Sequence, residues 1–157
     1  MAAVNPLESS LNLPPLQSMT ETAEILFEQG IERYKAGEDI STLIPYFKDI
    51  CDRAPKNPTA WTCLSWLYLL SDQPKLALKA AQKGVKFDKL SPQARINLVL
   101  ALLDSGGKGV REHIEVIQQV VGLDSQIRRD VDENIEDGFT RKPNWKSLQR
   151  VKDWLNS

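Results

Sequence analysis

Few residues of this chain have the type and spacing for chemistry. His113 is the single histidine. An imidazole works as a general base when a nucleophile is held beside it, and no paired Ser or Cys spacing supplies one, so His113 reads as structural. The two cysteines, Cys51 and Cys63, make no disulfide framework and fit a reducing compartment. They read as small apolar residues buried between adjacent helices, with a regulatory disulfide as the alternative that geometry decides. Gly106-Gly107-Lys108-Gly109 has the flavour of a phosphate loop, yet it follows a helical pattern rather than a strand and lacks the GxxxxGK[ST] spacing. Asp130, Asp132, Asn134 and Glu136 alternate like a calcium loop, but Ile135 stands where the loop needs glycine, so they read as a solvated acidic face. The expectation is no catalytic residue, no metal site and no cofactor, hence no enzyme.

Bulk properties point the same way. The chain has 157 residues, a net charge of −1, 41% apolar and 26% charged residues. That is one ordinary globular domain with no global field for nucleic acid or an anionic membrane. Met1 to Pro6 has neither the basic nor the apolar region of a secretory signal. The longest apolar stretch, Trp61 to Leu70, is about half a bilayer span. A cytoplasmic location is expected.

The elements follow from periodicity and punctuation. Residues 1–18 read as a flexible N-terminal arm, since Pro6, Pro14 and Pro15 block helix and the leucines lack helical spacing. Ser18 and Glu21 have the spacing of a capping box for a first helix. Ala23, Leu26, Phe27, Gly30, Ile31 and Tyr34 then share one apolar face, and Gly37 closes it. Further helices are predicted over 40–53, 58–71, 74–87, 92–104, 110–122 and 124–137, the last stopped by Gly138. A final helix begins near Asn144, with Trp145, Leu148, Val151, Trp154 and Leu155 on one face. Asn57-Pro58 and Ser91-Pro92 are N-cap and first-turn pairs. Sustained period-2 alternation is missing, so no strands are predicted.

The punctuation repeats. Pro58 and Pro92 stand 34 residues apart, each preceded by a capping residue and followed two positions later by alanine. A period of about 34 residues built from paired short helices marks a stacked array. The stretch Pro58 to Ser91 resembles a tetratricopeptide (TPR) repeat. Trp61 stands at the large position, Leu64 and Ser65 at Leu-Gly, Tyr68 at Tyr, and Ala77, Ala81 and Gly84 at the packing positions of the second helix, while Lys89 replaces the closing proline. A preceding unit over about 23–57 and a following one from Pro92 are more worn, so the resemblance covers roughly 23–122. It implies an all-α, TPR-like α-solenoid of antiparallel helix pairs. The expected organisation is an arm over 1–18, a repeat domain over 19–138 and a C-terminal amphipathic capping helix over 139–157.

The resemblance also implies a function. First helices of TPR repeats line an inner groove, which here places Phe27, Ile31, Tyr34, Trp66, Leu69, Ile96, Asn97 and Leu100 as partner-binding residues. TPR proteins that hold chaperone tails use a carboxylate clamp of Lys, Asn and Arg. The matching positions here are Phe27, Ile31, Cys63, Gln93 and Asn97, and only Asn97 fits. A chaperone tail is therefore not expected. An apolar or amphipathic segment of another protein suits such a groove, as bound by an adaptor, scaffold or assembly factor. Two readings compete. The Trp-bearing C-terminal helix either packs on the chain's own last repeat or pairs between copies in a homo-oligomer. Lys75, Lys79, Lys83 and Lys86 form an outer stripe that is either plain solvated surface or a docking edge for an acidic partner.

Overall fold

The structure is a computed structural model that describes residues 16–157, with side chains from Thr22 onward. Its elements among these residues are all helical: α1 (Leu16–Lys35), α2 (Ile40–Arg53), α3 (Pro58–Leu70), α4 (Pro74–Phe87), α5 (Pro92–Asp104), α6 (Arg111–Leu123), α7 (Ser125–Arg141) and α8 (Lys146–Leu155). Residues 16–18, expected in the arm, belong to α1, so Ser18 lies inside the helix and not at its cap. The rest of the expected arm lies outside the described residues.

Local chemistry sets these limits. The Asn57 side chain accepts from the amides of Thr59 and Ala60 at 3.0 and 3.3 Å, with Pro58 at the first helical position. Ser91 accepts from Ala94 at 3.2 Å ahead of Pro92. The three first helices also end alike. Gly37, Asp72 and Gly106 take positive φ of 85°, 59° and 75°. The next amide then reaches back five residues: Glu38 to Arg33 at 3.1 Å, Gln73 to Tyr68 at 2.8 Å, Gly107 to Leu102 at 2.7 Å. The 34-residue period thus appears as one helix-ending turn used three times.

Each helix packs on the next, and α3 also packs on α5. Helices α3 and α5 are apolar on nearly every side, the pattern of helices covered all round. Small residues set the spacing: Ala77 and Ala81 on α4 are fully buried, and a Cβ at Gly84 would lie 2.8 Å from Thr62 Oγ1 on α3 and 3.4 Å from Ala94 Cβ on α5. Helix α8 lays Leu148, Val151 and Leu155 against α5, α6 and α7.

Two expectations are corrected. Gly138 does not stop the helix over 124–137; α7 continues to Arg141, and the expected domain boundary at 138/139 falls inside it. Glycine is there for close approach, since a Cβ would lie 2.7 Å from Leu148 Cδ2 and 2.9 Å from Trp66 Cη2. The aromatics of 145–155 are not an exposed pairing face either. Trp145 is 4% exposed and Trp154 is packed on the core, so the motive for a homo-oligomer through this helix is lost.

Gly138→Ala gains helix propensity of about 1 kcal/mol but overpacks a closed contact at about 1–3 kcal/mol. The expected outcome is a net loss of stability, read from urea unfolding, with the folded far-UV spectrum kept.

Candidate functional site

Helices α1, α3 and α5 form the inner face of the array, and α7 crosses it. Between them lies a cavity of about 180 Å³. Ile31, Tyr34 and Lys35 of α1 line it, with Thr62, Cys63, Trp66 and Leu67 of α3 and Phe47 of α2. Gln93 and Asn97 of α5 and Asn134 and Asp137 of α7 close the polar side.

The expected groove residues divide. Ile31, Tyr34, Trp66 and Asn97 do line this cavity. Phe27 packs edge-on to Phe47, ring centroids 5.9 Å apart, at its margin. Leu69, Ile96 and Leu100 are corrected: they are 1%, 0% and 0% exposed, sealed in the core, and no partner reaches them in the folded state. The position of a residue on an inner helix says which way it faces, and here that face is already covered. Asn97 is also committed. Its Nδ2 donates to the Thr62 carbonyl and to Ser65 Oγ, both at 2.9 Å, and its Oδ1 accepts from Gln93 Nε2 at 2.8 Å. It braces α3 against α5 and leaves no amide group free for a ligand carboxylate.

The cover is held by a polar node centred on Tyr34. Its hydroxyl donates to Asp137 and accepts from Trp66 Nε1 at 2.8 Å. Arg141 completes the node: its Nε donates to Asp137 at 3.0 Å, its Nη2 to the Tyr34 carbonyl at 2.8 Å, and its guanidinium lies 3.6 Å from the Tyr34 ring centroid. Burial, and then the bond to Asp137, push the Tyr34 phenol above its ordinary range. Asn134 Nδ2 donates to Gln93 Oε1 at 3.0 Å. Lys142 donates to the Leu69 carbonyl at 3.1 Å and pairs with Asp72 at 2.6 Å. Trp145 lies 5.5 Å from Trp66 between ring centroids and donates to Asp104 at 3.0 Å.

Sequence reasoning placed a helix over 124–137 but left it out of the site, because it took Asp130, Asp132, Asn134 and Glu136 for a solvated acidic face. A signal existed: Ile127, Val131, Ile135 and Gly138 follow one another at helical spacing, and the last three are buried. Of the candidate chemical groups, His113 is half-buried and accepts from Arg95 Nη1 at 2.9 Å. Burial and then the Arg95 charge lower its pKa. Cys51 is buried between helices and Cys63 faces the cavity, both as free thiols. Burial pushes each up to about 12. Asp130, Asp132, Asn134 and Glu136 lie within a continuous helix, which spreads them around its axis. Lys75, Lys79, Lys83 and Lys86 face solvent on the outer side of α4.

No protein-family model matches the chain. No curated protein matches it in sequence. Among solved structures it is similar to the Yersinia enterocolitica type III secretion translocator chaperone SycD, with a TM-score of 0.60 at 18% identity over 87% of this chain and 90% of that one. It is similar to the TPR domain of Arabidopsis OM64, with a TM-score of 0.55 at 13% identity over 87% and 96% of the two chains. The first TPR of Spaghetti (RPAP3), bound to an HSP90 peptide, gives a TM-score of 0.52 at 17% identity over 88% and 96%. The chain has an all-α, TPR-like fold, as the repeat pattern led one to expect.

Removing the Tyr34 hydroxyl leaves the partly buried Trp66 Nε1 without its acceptor. Tyr34→Phe is therefore expected to lose about 1–3 kcal/mol in urea unfolding. The raised thiol pKa values predict that iodoacetamide at neutral pH labels Cys51 and Cys63 about a hundredfold or more slowly in the native chain than after unfolding, as followed by mass spectrometry.

Proposed function

We propose that the chain is a non-catalytic protein-binding module, an adaptor or assembly factor, that holds an apolar or amphipathic segment of a partner against its inner face. One observation carries the reading. The cavity wall opposite α7 is built from Ile31, Phe47, Trp66 and Leu67, and Lys35 is the one cationic side chain among its lining residues. An acidic tail needs several fixed cations, whereas apolar side chains of a partner would find matching surface here. The HSP90 peptide seen on Spaghetti is SRMEEVD, an acidic sequence. The inner face of this chain lacks the charges to hold its like. The contact residues in this reading are Ile31, Tyr34 and Trp66, with Phe27 at the margin. No helix among the described residues is long and apolar enough to cross a membrane, and a cytoplasmic site of action remains part of the proposal.

A second reading keeps one support. The α4 lysines form an exposed stripe with Leu76 beside them, 43% exposed, a surface for an acidic partner on the opposite side of the array. Lys79→Glu with Lys83→Glu would abolish binding through that stripe and leave inner-face binding intact.

The inner-face reading is tested by panning the full chain against displayed amphipathic helices and against matched acidic tails. Binders are expected from the helices, and Ile31→Asp or Trp66→Ala is expected to weaken them about tenfold or more, ~1.4 kcal/mol. Binders drawn from the acidic tails, or affinities unchanged in variants of native circular dichroism, would overturn it.

A further inference from the structure

The cavity beside α7 has a buried floor and an open mouth. Phe47, Thr62, Leu67 and Asn97 of its lining are buried, while Lys35 and Asn134 are exposed. Its surface is mostly apolar, and most of its polar groups are already engaged. Thr62 Oγ1 donates to the Pro58 carbonyl at 2.7 Å. Tyr34, Gln93, Asn97, Asn134 and Asp137 each hold a hydrogen bond within the chain. No buried side-chain nitrogen or oxygen among the described residues lacks a partner. Such a space gives a water few groups to hold it and suits an apolar guest. At about 180 Å³ it is larger than the roughly 150 Å³ apolar cavity that takes up benzene. Charge marks the mouth. Asp137, the one acid of the lining, is held by Arg141 and Tyr34. Glu38, three positions beyond Lys35, pairs with Arg33. Lys35 itself has no hydrogen bond or ion pair among the described residues. An unmatched ammonium thus stands beside an apolar pocket.

We propose that this cavity is an anchor pocket for one phenyl-sized apolar side chain of the partner helix, with an acidic residue one helical turn from that anchor meeting Lys35. Residues three or four apart on a helix lie about 5–6 Å from each other, the scale of a pocket with a cation on its rim. Helix α7 stays seated and forms one wall. This rests on the inner-face reading above and names the side chains that the inner face selects.

The pocket is tested first without a partner. Toluene near its solubility limit is expected to raise the urea midpoint of the full chain, since a ligand that binds only the folded state stabilises it. Cys63→Met, whose longer side chain extends into the cavity, is expected to fold and to lose most of that shift. No shift in the wild-type chain, or an equal shift in the variant, overturns the proposal. If the variant does not fold, nuclear Overhauser effects from toluene to the Ile31 methyl groups and the Trp66 ring decide in the wild-type chain, and their absence overturns it. The anchor is then read from the helices that the chain selects. They are expected to share a Phe with an acid three or four positions away. Phe→Ala in such a peptide is expected to weaken binding about tenfold or more in fluorescence anisotropy. Replacing its acid by Lys is expected to weaken binding about threefold, and Lys35→Glu in the chain is expected to reverse that preference. Helices that lack the pair, bind as well without the Phe, or keep their preference against Lys35→Glu overturn the proposal and leave the inner-face reading standing. Toluene seated in a chain that binds no helix removes the inner-face reading, and this one with it.

Discussion

At Gly84 helix α4 runs so close to α3 and α5 that a single methyl group would meet Thr62 Oγ1 at 2.8 Å. With Ala77 and Ala81 fully buried on the same helix, this contact brings three helices within small-residue packing distance. The consequences spread outward. A helix gripped so closely on one side, and covered by α2 or α6 on another, has little surface left that can be polar. Hence Thr62, Ser65 and Asn97 are the buried polar residues at this junction, and they satisfy one another: Ser65 Oγ donates to the Thr62 carbonyl at 2.7 Å while accepting from Asn97. The inner faces of α3 and α5 are then too apolar to stand bare. Leu69, Ile96 and Leu100 need a lid, and the C-terminal helices supply it.

Both C-terminal helices meet that requirement. Helix α8 answers the apolar demand with Trp145, Leu148, Val151 and Leu155, all buried. Helix α7 adds Val131 and Ile135, both buried, and reaches α1 and α5 through Asn134, Asp137 and Arg141.

Much of the fold was legible because its signals are local. Helices over 40–53 and 74–87 end where punctuation placed them, and Asn57-Pro58 and Ser91-Pro92 cap as their chemistry requires. The site was legible only in part. Ile31, Tyr34 and Trp66 were found since repeat position dictates facing. Leu69, Ile96 and Leu100 were misplaced since facing does not reveal cover. Tyr34 and Asp137 are 103 residues apart in the chain, and no periodicity relates them. Gly138 was misread for a physical reason as well: a glycine that ends a helix and one that admits a neighbour look alike in sequence, and only the neighbour, Trp66, tells them apart.

The central repeat shows why the tail and the array cannot be read separately. Its turn places Asp72 in the left-handed region at φ 59°, where the flanking repeats use Gly37 and Gly106. Aspartate tolerates that region better than most residues, yet glycine adopts it at no steric cost. What glycine cannot provide is a carboxylate. Asp72 pairs with Lys142 at 2.6 Å, and the same ammonium donates to the Leu69 carbonyl at the end of α3. Lys142 follows directly on α7, so the backbone cost at Asp72 is offset only while the tail is seated. An exposed ion pair contributes under about 1 kcal/mol, the same order as the conformational penalty. The departure from the repeat at this one turn is therefore best understood as belonging to the tail's contact and not to the helix pair that contains it.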